Sequence, residues 1–333
     1  MKVGILGSGF MARTHAPGWQ AAGAELVGFH SAEPEIAAAL AETVGATVFE
    51  NTDALLQAVD VVDICTPTPL HHSQVLQAAA AKKAIVCEKP LARTTAQAAE
   101  MVTACEQAGV PLLVGHVVRF FPEYAEAHRI VERGEIGRVA VSRYTRASFK
   151  PHADNPTSWF HDLAQSGGIL MDLMIHDYDI ARWISGDVAT VFARSVRSRT
   201  PDTPHDYALV ILTHRNGALT HVEGGWAYPP PLFRTSLEIA GDRGLIEHPY
   251  GSSAPLEIHL QKTGSDSAGI AVPGSPLLED PYVSEIKEFC AVLNGTLAEP
   301  RVTARDGLAA VQIAEAAITS AFSGRPVRLE VLS

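Results

Sequence analysis

Asp172 and His176 are the residues of this sequence whose types and spacing best suit acid–base chemistry. They lie four residues apart in an apolar segment between Gly167 and Trp183, so on a helix they share one face. A carboxylate beside an imidazole stabilises the charged imidazolium and can bring its pKa into the working range of a general acid or base. A structural Asp–His pair on a partly exposed helix is the alternative that this spacing leaves open.

Lys89 is a second candidate for chemistry, in the segment Glu88-Lys89-Pro90. The residues before it, 84–87, form a short apolar run that predicts a strand. Because open parallel sheets bind ligands at the carboxyl edge of their strands, a lysine at that edge can approach both a cofactor and a substrate. A solvated surface lysine is the alternative.

The glycine spacing near the N-terminus predicts a dinucleotide-binding site. Gly7, Gly9 and Ala12 form the pattern GxGxxA between a predicted strand, 2–6, and a predicted helix, 10–22. Gly7 permits a tight turn, Gly9 lets the backbone approach a pyrophosphate, and Ala12 keeps the helix close to the strand. Since the pattern stands in the strand–turn–helix context that it requires, a bound cofactor is favoured over a glycine-rich turn without a ligand. The cofactor-binding candidates of this loop are Gly7, Gly9, Phe10, Met11 and Ala12.

The residues after the second predicted strand bear on the choice of nicotinamide cofactor. His30-Ser31-Ala32 stands where an acidic residue would bind the ribose 2′-hydroxyl of NAD. Glu33 is better explained as a favourable charge at the start of the next helix. A 2′-phosphate is therefore not repelled, and His30 or Ser31 could hydrogen-bond it, although no Arg or Lys is close in sequence. The segment leaves NAD and NADP open, with a slight preference for NADP.

The third predicted strand ends in Thr66-Pro67-Thr68-Pro69, and His71-His72 follow. This end belongs to the same sheet edge, where polar side chains can contact the cofactor; polar residues that cap a helix nearby are the alternative. Adjacent histidines cannot share one helix face as metal ligands, and no Cys/His spacing typical of a metal site occurs elsewhere. No metal is therefore predicted. The cofactor-binding candidates at this edge are Thr66, Pro67, His71, Glu88 and Lys89.

The segment 148–165 is rich in aromatic, Pro, His and Asn residues and is a candidate for substrate contacts. Lys150, His152, Asn155 and Trp159 offer a sugar both hydrogen bonds and a stacking face. A surface loop or an oligomer contact is the alternative.

The elements that position these residues fall into two groups. Up to residue 118, short apolar runs alternate with helical patterns, which predicts a parallel sheet covered on both faces; Pro17 is expected to kink or interrupt the first helix. From residue 119 onward, a helix over 169–184 precedes strand-like runs joined by short turns, which predicts a mostly antiparallel sheet. Two domains, 1–118 and 119–333, are predicted, as a length of 333 residues also favours.

The composition is that of a globular protein, with 47% hydrophobic and 19% charged residues. The formal net charge of −11 disfavours partners such as nucleic acids and anionic membranes. No segment reaches the roughly 18 apolar residues that a membrane helix needs, and no signal peptide is expected. The four cysteines form no CxxC pair, which predicts reduced thiols and a cytoplasmic protein.

Together these motifs resemble the glucose–fructose oxidoreductase / inositol dehydrogenase / MocA family over nearly the whole chain. The matching motifs are GxGxxA at 7–12, Thr-Pro followed by His at 66–72, Glu88-Lys89-Pro90, Gly115-His116-Val117-Val118-Arg119-Phe120, Gly-Gly-x-x-x-Asp-x-x-x-His-Asp at 167–177, and Arg301-Val302-Thr303-Ala304-Arg305-Asp306-Gly307. The resemblance implies an α/β fold, with an N-terminal Rossmann doubly wound parallel sheet plus a C-terminal α+β domain that has an open, mostly antiparallel sheet. It also implies homodimers or homotetramers formed through that second sheet.

The resemblance further implies NAD(P)-dependent hydride transfer to or from a secondary alcohol or ketone of a sugar, sugar derivative or inositol-type polyol. Lys89, Asp172 and His176 match the family's catalytic positions. His176 would be the general base, Asp172 would orient it, and Lys89 would stabilise charge on the reacting oxygen. The family's frequent Asp at the end of the second strand is absent here. The substrate-binding candidates are Lys89, His116, Arg119, Lys150, Trp159, Asp172 and His176.

Two other functions stay open on the same architecture. One is NAD-dependent glycoside hydrolysis through transient oxidation of the sugar, with no net turnover of cofactor. The other is a non-catalytic NAD(P)-binding sensor, against which the joint presence of Lys89, Asp172 and His176 argues.

Overall fold

The structure is a computed structural model that describes residues 1–151, 155, 158–197, 205–248 and 279–332. The chain forms two compact units. The first comprises Met1–Phe121 and Ser275–Leu308, and the second comprises Pro122–Gly274 and Ala309–Ser333. The predicted division of the chain at residue 118 does not account for the segment Ser275–Leu308, which belongs to the first unit. This late return of the chain brings together segments far apart in sequence, which no local pattern encodes.

The first unit is built on a six-stranded parallel sheet. Its strands are β1 (Lys2–Leu6), β2 (Glu25–His30), β3 (Thr47–Val48), β4 (Val61–Ile64), β5 (Ala84–Glu88) and β6 (Leu112–Gly115). They lie in the order β3-β2-β1-β4-β5-β6. Five of these strands follow the predicted apolar runs, and the two exposed residues of β3 are too few for a hydrophobic pattern.

The helices of the first unit follow the strands, as the predicted crossover units require. They are α1 (Phe10–Ala21), α2 (Pro34–Val44), α3 (Thr52–Ala58), α4 (Thr68–Ala80), α5 (Thr95–Ala108) and the late helix α10 (Pro281–Leu293). Helix α10 packs against α1, and its buried residues Ile286, Phe289 and Cys290 join the core that α1 and the sheet form. A short 3₁₀ helix, Val117–Phe120, follows β6.

Pro17 was expected to kink or interrupt helix α1, and the helix runs through it without interruption. Pro17 lies on the exposed face of the helix. There, water can hydrogen-bond the carbonyl oxygen that the missing proline N–H leaves without its helical partner.

The second unit is built on a seven-stranded sheet. Its strands are β7 (Val139–Ser148), β8 (Val188–Val196), β9 (Tyr207–His214), β10 (Leu219–Gly225), β11 (Phe233–Gly241), β12 (Leu245–His248) and β13 (Val327–Arg328). The order is β12-β11-β7-β10-β9-β8-β13. All neighbouring strands are antiparallel except β10 and β7, so the prediction of a mostly antiparallel second sheet is confirmed.

Helices accompany the second sheet. They are α6 (Pro122–Glu132), α7 (Leu163–Ser166), α8 (Ile169–Asp172), α9 (Ile175–Ser185) and α11 (Ala304–Ser323), whose residues from Ala309 onward belong to this unit. The single helix predicted over 169–184 is wrong in one respect, because it divides at Leu173 and Met174. The Met174 amide bonds the carbonyl of Ile169 five residues back, and the Met174 carbonyl then accepts the first bonds of α9.

The fold class predicted from the sequence is confirmed by these two sheets. In the part of the chain that the structure describes, no helix combines the length and apolarity that a membrane crossing requires.

Candidate functional site

The glycine loop between β1 and α1 has the shape that a pyrophosphate needs. Gly7 has φ +109°, and a Cβ at this position would lie 2.7 Å from the carbonyl oxygen of Cys65, so only glycine fits the turn. A Cβ at Gly9 would meet no atom within 4 Å, which leaves open space over the backbone. Ala12 is fully buried beneath the loop, where it holds α1 close to the sheet.

The N-terminus of α1 is available to an anion. Gly9 is the N-cap and supplies no side-chain hydrogen bond to the first turn. Phe10 is 37% exposed and Met11 is half-buried. Because the first N–H groups of a helix have no helical partner and carry a partial positive charge, they suit a phosphate. The loop therefore fits the diphosphate of a dinucleotide.

The ends of β2 and β4 contribute polar groups to the same edge of the sheet. His30 donates to the carbonyl of Phe49 over 3.1 Å, and the Ser31 hydroxyl lies 2.8 Å from that of Ser8. After β4, the Thr66 hydroxyl donates to Gln74 over 2.5 Å; Pro67 is the N-cap of α4.

His71 links the end of β4 to the Glu88-Lys89-Pro90 turn. Its ring nitrogens lie 2.8 Å from the carbonyl oxygens of Thr66 and Pro90. Burial lowers the pKa of His71, so near neutral pH the imidazole is uncharged and donates one of these bonds at a time. Both ring nitrogens of His71 face backbone carbonyl oxygens. A direct contact of His71 with the cofactor stays a prediction.

Lys89 follows β5, which is separated from β1 only by β4. It therefore lies at the same sheet edge as the glycine loop, with its side chain half-buried. The Glu88 carboxylate turns inward and is buried. It accepts the backbone N–H of Lys89 over 3.0 Å, which fixes the start of the turn.

His116 and Arg119, the substrate candidates after β6, are both buried. The Arg119 guanidinium donates to the carbonyl of Arg301 over 2.7 Å and pairs with Asp306 at 3.3 Å. Arg301 returns a bond to the Arg119 carbonyl over 2.9 Å. Arg119 thus joins this segment to the late part of the first unit, and its contact with substrate stays a prediction.

In the second unit, Asp172 ends α8 and His176 is the second residue of α9. Asp172 is buried and His176 half-buried. Asp177, next to His176, is fully buried and accepts a bidentate ion pair from Arg146 of β7, with N–O distances of 2.8 and 3.0 Å. No local sequence pattern indicates this pair, because 31 residues separate its members. It ties the first turn of α9 to the sheet.

Other predicted substrate residues lie near a small pocket of the second unit. Lys150 lines it with Phe160, His161, Asp206 and Trp226 among others. Trp159 is half-buried and its ring lies 4.2 Å from that of Phe160. Asn155 is exposed, and His152 lies outside the described residues.

The chain matches two family models in succession. Residues 1–116 match the model described as an oxidoreductase family with an NAD-binding Rossmann fold, and residues 124–247 match the GFO/IDH/MocA C-terminal domain. A D-apiose dehydrogenase of Paraburkholderia graminis is 33% identical to this chain, over 99% of the chain and 90% of that protein. The chain belongs to the GFO/IDH/MocA oxidoreductase family.

Two further relatives cover nearly its full length. Inositol 2-dehydrogenase 2 of Saccharopolyspora erythraea is 29% identical over 99% of this chain and 96% of that protein. The crystal structure of GenD2 from gentamicin A biosynthesis, in complex with NAD, superposes with a TM-score of 0.85 at 26% identity, over 99% of this chain and 97% of that one. The predicted family and the prediction of an oxidoreductase with an NAD-binding Rossmann domain are therefore confirmed.

One group of potential metal ligands occurs among the described residues of this family member. Side-chain atoms of His15, Asp63 and Cys65 lie within 4.8 Å of one another. The group is buried, and the atoms bond one another, with His15 Nδ1 2.9 Å from Asp63 Oδ2 and Cys65 Sγ 3.4 Å from Asp63 Oδ1. Hydrogen bonding accounts for the group without an ion.

Proposed function

We propose that this protein transfers hydride between a nicotinamide cofactor and a secondary alcohol or ketone of a sugar, sugar derivative or inositol-type polyol. The observation that carries the proposal is the position of Lys89, which emerges two strands from the glycine loop at the same sheet edge. A cationic side chain at that place suits charge that develops on an oxygen beside the nicotinamide. Relatives named as dehydrogenases of D-apiose and of inositol support the substrate class.

The proposed roles divide the chemistry among three residues. His176 takes the hydroxyl proton in oxidation and returns it in reduction. Asp172 orients His176 and stabilises its charged form. Lys89 donates a hydrogen bond to the reacting oxygen, and the bound nicotinamide supplies the hydride acceptor or donor.

The remaining site residues hold the ligands. The substrate contacts are proposed for His116, Arg119, Lys150 and Trp159, of which Trp159 offers a flat face to a sugar ring. The cofactor contacts are proposed for Gly7, Gly9, Phe10, Met11, Ala12, His30, Ser31, Thr66, Pro67, His71, Glu88 and Lys89.

A screen of both nicotinamides against sugars, sugar acids, inositols and nucleotide sugars tests the function. The expected result is a change in reduced-nicotinamide absorbance with at least one sugar or polyol. Release of a sugar from a glycoside without that absorbance change would favour the hypothesis of an NAD-dependent glycoside hydrolase. Tight cofactor binding with no reaction across the panel would favour the sensor.

The choice of cofactor gives a first prediction. No acid stands at His30-Ser31-Ala32, so the proposal keeps a slight preference for NADP. Ser31→Asp places a carboxylate where it accepts the NAD ribose hydroxyl and repels a 2′-phosphate. We expect the ratio of kcat/KM for NAD over NADP to rise at least about tenfold, equivalent to about 1.4 kcal/mol.

Ser31→Ala is the matched control, because it removes the Ser8–Ser31 contact without adding charge. An unchanged NAD/NADP ratio in Ser31→Asp would place the ribose elsewhere.

Assembly gives a second prediction. The outward face of the second sheet carries Leu209 and Leu219, which are 45% and 39% exposed on neighbouring strands. The proposal is a cytoplasmic homodimer or homotetramer that covers this face. Leu209→Lys is expected to lower the assembly mass measured by light scattering, because a buried lysine without a partner is costly.

Leu70→Lys is the control for that experiment, since Leu70 is equally exposed at 45% but lies on α4 of the first unit. If Leu209→Lys keeps the mass of the wild-type protein, this face is not the interface.

A further inference from the structure

A group of ionisable side chains lies inside the first unit, below the edge that holds the cofactor loop. We call it the inner cluster and define it as His15, Asp63, Glu88 and Glu285. His15 is carried by α1, Asp63 by β4, Glu88 by β5 and Glu285 by α10. His15, Asp63 and Glu285 have no exposed surface, and Glu88 is 4% exposed. Burial on this scale is costly for charges that are not paired.

The contacts of the inner cluster form a continuous chain. His15 Nδ1 lies 2.9 Å from Asp63 Oδ2, and Trp19 donates to the same oxygen over 2.7 Å. On its other side, His15 Nε2 lies 3.1 Å from Glu88 Oε1, at ion-pair distance. The second oxygen of Glu88 accepts the backbone N–H of Lys89. A path of four groups thus runs from Asp63 through His15 and Glu88 to Lys89.

The charges of the inner cluster compensate one another in part, because the His15 cation lies between the carboxylates of Asp63 and Glu88. Burial alone lowers the pKa of His15, but the charge of Asp63 and the hydrogen bonds of Asp63 and Cys65 outweigh burial, and the net pKa lies well above its usual value. The imidazolium therefore stands between two carboxylates, donating through Nδ1 to Asp63 and facing Glu88 through Nε2 at ion-pair distance. Burial and the nearby Glu88 raise the pKa of Glu285 well above its usual range. The protonated form of Glu285 is thereby favoured, which limits the negative charge of the cluster.

The Glu88 carboxylate is closely packed on two sides. A Cβ on Gly115 of the neighbouring β6 would lie 2.8 Å from Glu88 Oε1. Gly115 therefore gives the carboxylate its space on one side, and His15 faces it on the other. Because packed interiors resist displacement, the position of His15 determines where Glu88 holds the Lys89 backbone.

We propose that His15 is a positioning residue for Lys89. It connects α1, whose first turn faces the cofactor phosphates, to the Glu88-Lys89-Pro90 turn through the Glu88 carboxylate. The cofactor loop and Lys89 are thereby held in a fixed position relative to each other. The inference rests on the proposed function for the importance of Lys89 in turnover. A misplacement of about 1 Å in a reacting group can cost about 100-fold in rate, so this support has a measurable consequence.

Two substitutions interrupt the path at different points. His15→Gln removes the cation. Glu88→Gln keeps an oxygen that can accept the Lys89 N–H, but it removes the negative charge that attracts the side chain of residue 88 to His15. His72→Gln is the matched control, because His72 lies on the outer surface and pairs with Glu100 at 2.8 Å. Circular dichroism and thermal unfolding identify the folded variants.

Two readouts are measured on each variant: steady-state kcat and KM, and the rate at which an amine-reactive reagent acylates Lys89, followed by peptide mass spectrometry without substrate. For His15→Gln and Glu88→Gln we expect kcat to fall about 10- to 100-fold. In His15→Gln, whose altered side chain is fully buried, the KM for the cofactor should change less than about threefold. In both variants the acylation rate of Lys89 should change at least about threefold, because the lysine is displaced. His72→Gln should leave both readouts at wild-type values.

The outcomes separate this inference from the proposed function. Lys89→Met with wild-type turnover would refute the role of Lys89, and the acylation rates alone would then decide whether His15 positions it. If Lys89→Met is inactive while His15→Gln leaves Lys89 acylation unchanged, the positioning role is refuted, whatever happens to kcat. If His15→Gln does not fold, Glu88→Gln decides by kcat and by the acylation rate of Lys89.

Discussion

We expect Lys89→Met and His176→Gln each to lower kcat strongly in a protein that remains folded and binds its cofactor. Methionine keeps much of the apolar stem of Lys89 but cannot donate to the reacting oxygen, and loss of one such donor costs about 100- to 1000-fold in kcat. Glutamine cannot take a hydroxyl proton, which is the role proposed for His176, and loss of a general base costs about 100- to 10,000-fold. The measurement is steady-state kinetics on the best substrate of the screen, with fluorescence titration of the reduced cofactor.

Lys82→Met is the control for the lysine, since Lys82 is exposed and donates to the carbonyl of Ala108 over 2.8 Å, away from the cofactor edge. We expect it to retain wild-type kcat. Near-wild-type turnover in both Lys89→Met and His176→Gln would contradict the assigned roles and return the site to a nucleotide-binding function without this chemistry. If only one variant keeps its turnover, the role of that residue alone is refuted.

The parts of this molecule that follow from the sequence are those set by local spacing. The glycine loop, five of the six parallel strands and the mostly antiparallel second sheet all rest on patterns within about ten residues. Lys89 could be placed at the cofactor edge because the carboxyl ends of parallel strands meet there. The resemblance to the family suggested roles for candidate residues whose function spacing alone left open.

The features that the sequence did not disclose depend on contacts between distant segments. The return of α10 to the first unit brings Glu285 into the inner cluster. The predicted helix divides at Leu173 and Met174 because its backbone hydrogen-bond pattern changes there. The spacing of apolar residues does not encode this change. His15 appears in sequence only as a polar residue on α1, and its meaning depends on Asp63, 48 residues away.

We expect Arg146→Met to destabilise the second unit by about 3–5 kcal/mol, because it leaves Asp177 buried without its cation. Both side chains are almost fully buried, and two hydrogen bonds join them. Equilibrium denaturation by urea measures the loss. The double variant Arg146→Met with Asp177→Leu removes both charges, so it should regain most of the stability that the single variant loses.

The sign of the pH dependence follows from the pKa of Asp177. Burial raises this pKa, and the charge and hydrogen bonds of Arg146 offset part of the rise. Without Arg146 the folded-state pKa rises further above the unfolded value, so the folded state binds the extra proton and loses stability as pH increases between the two values. Arg146→Met should therefore lose less stability near about pH 5 than near about pH 8, while the double variant shows no such difference. An equal loss at both pH values would mean that Asp177 stays ionised without its partner, and that water or another donor replaces Arg146 beside the first turn of α9.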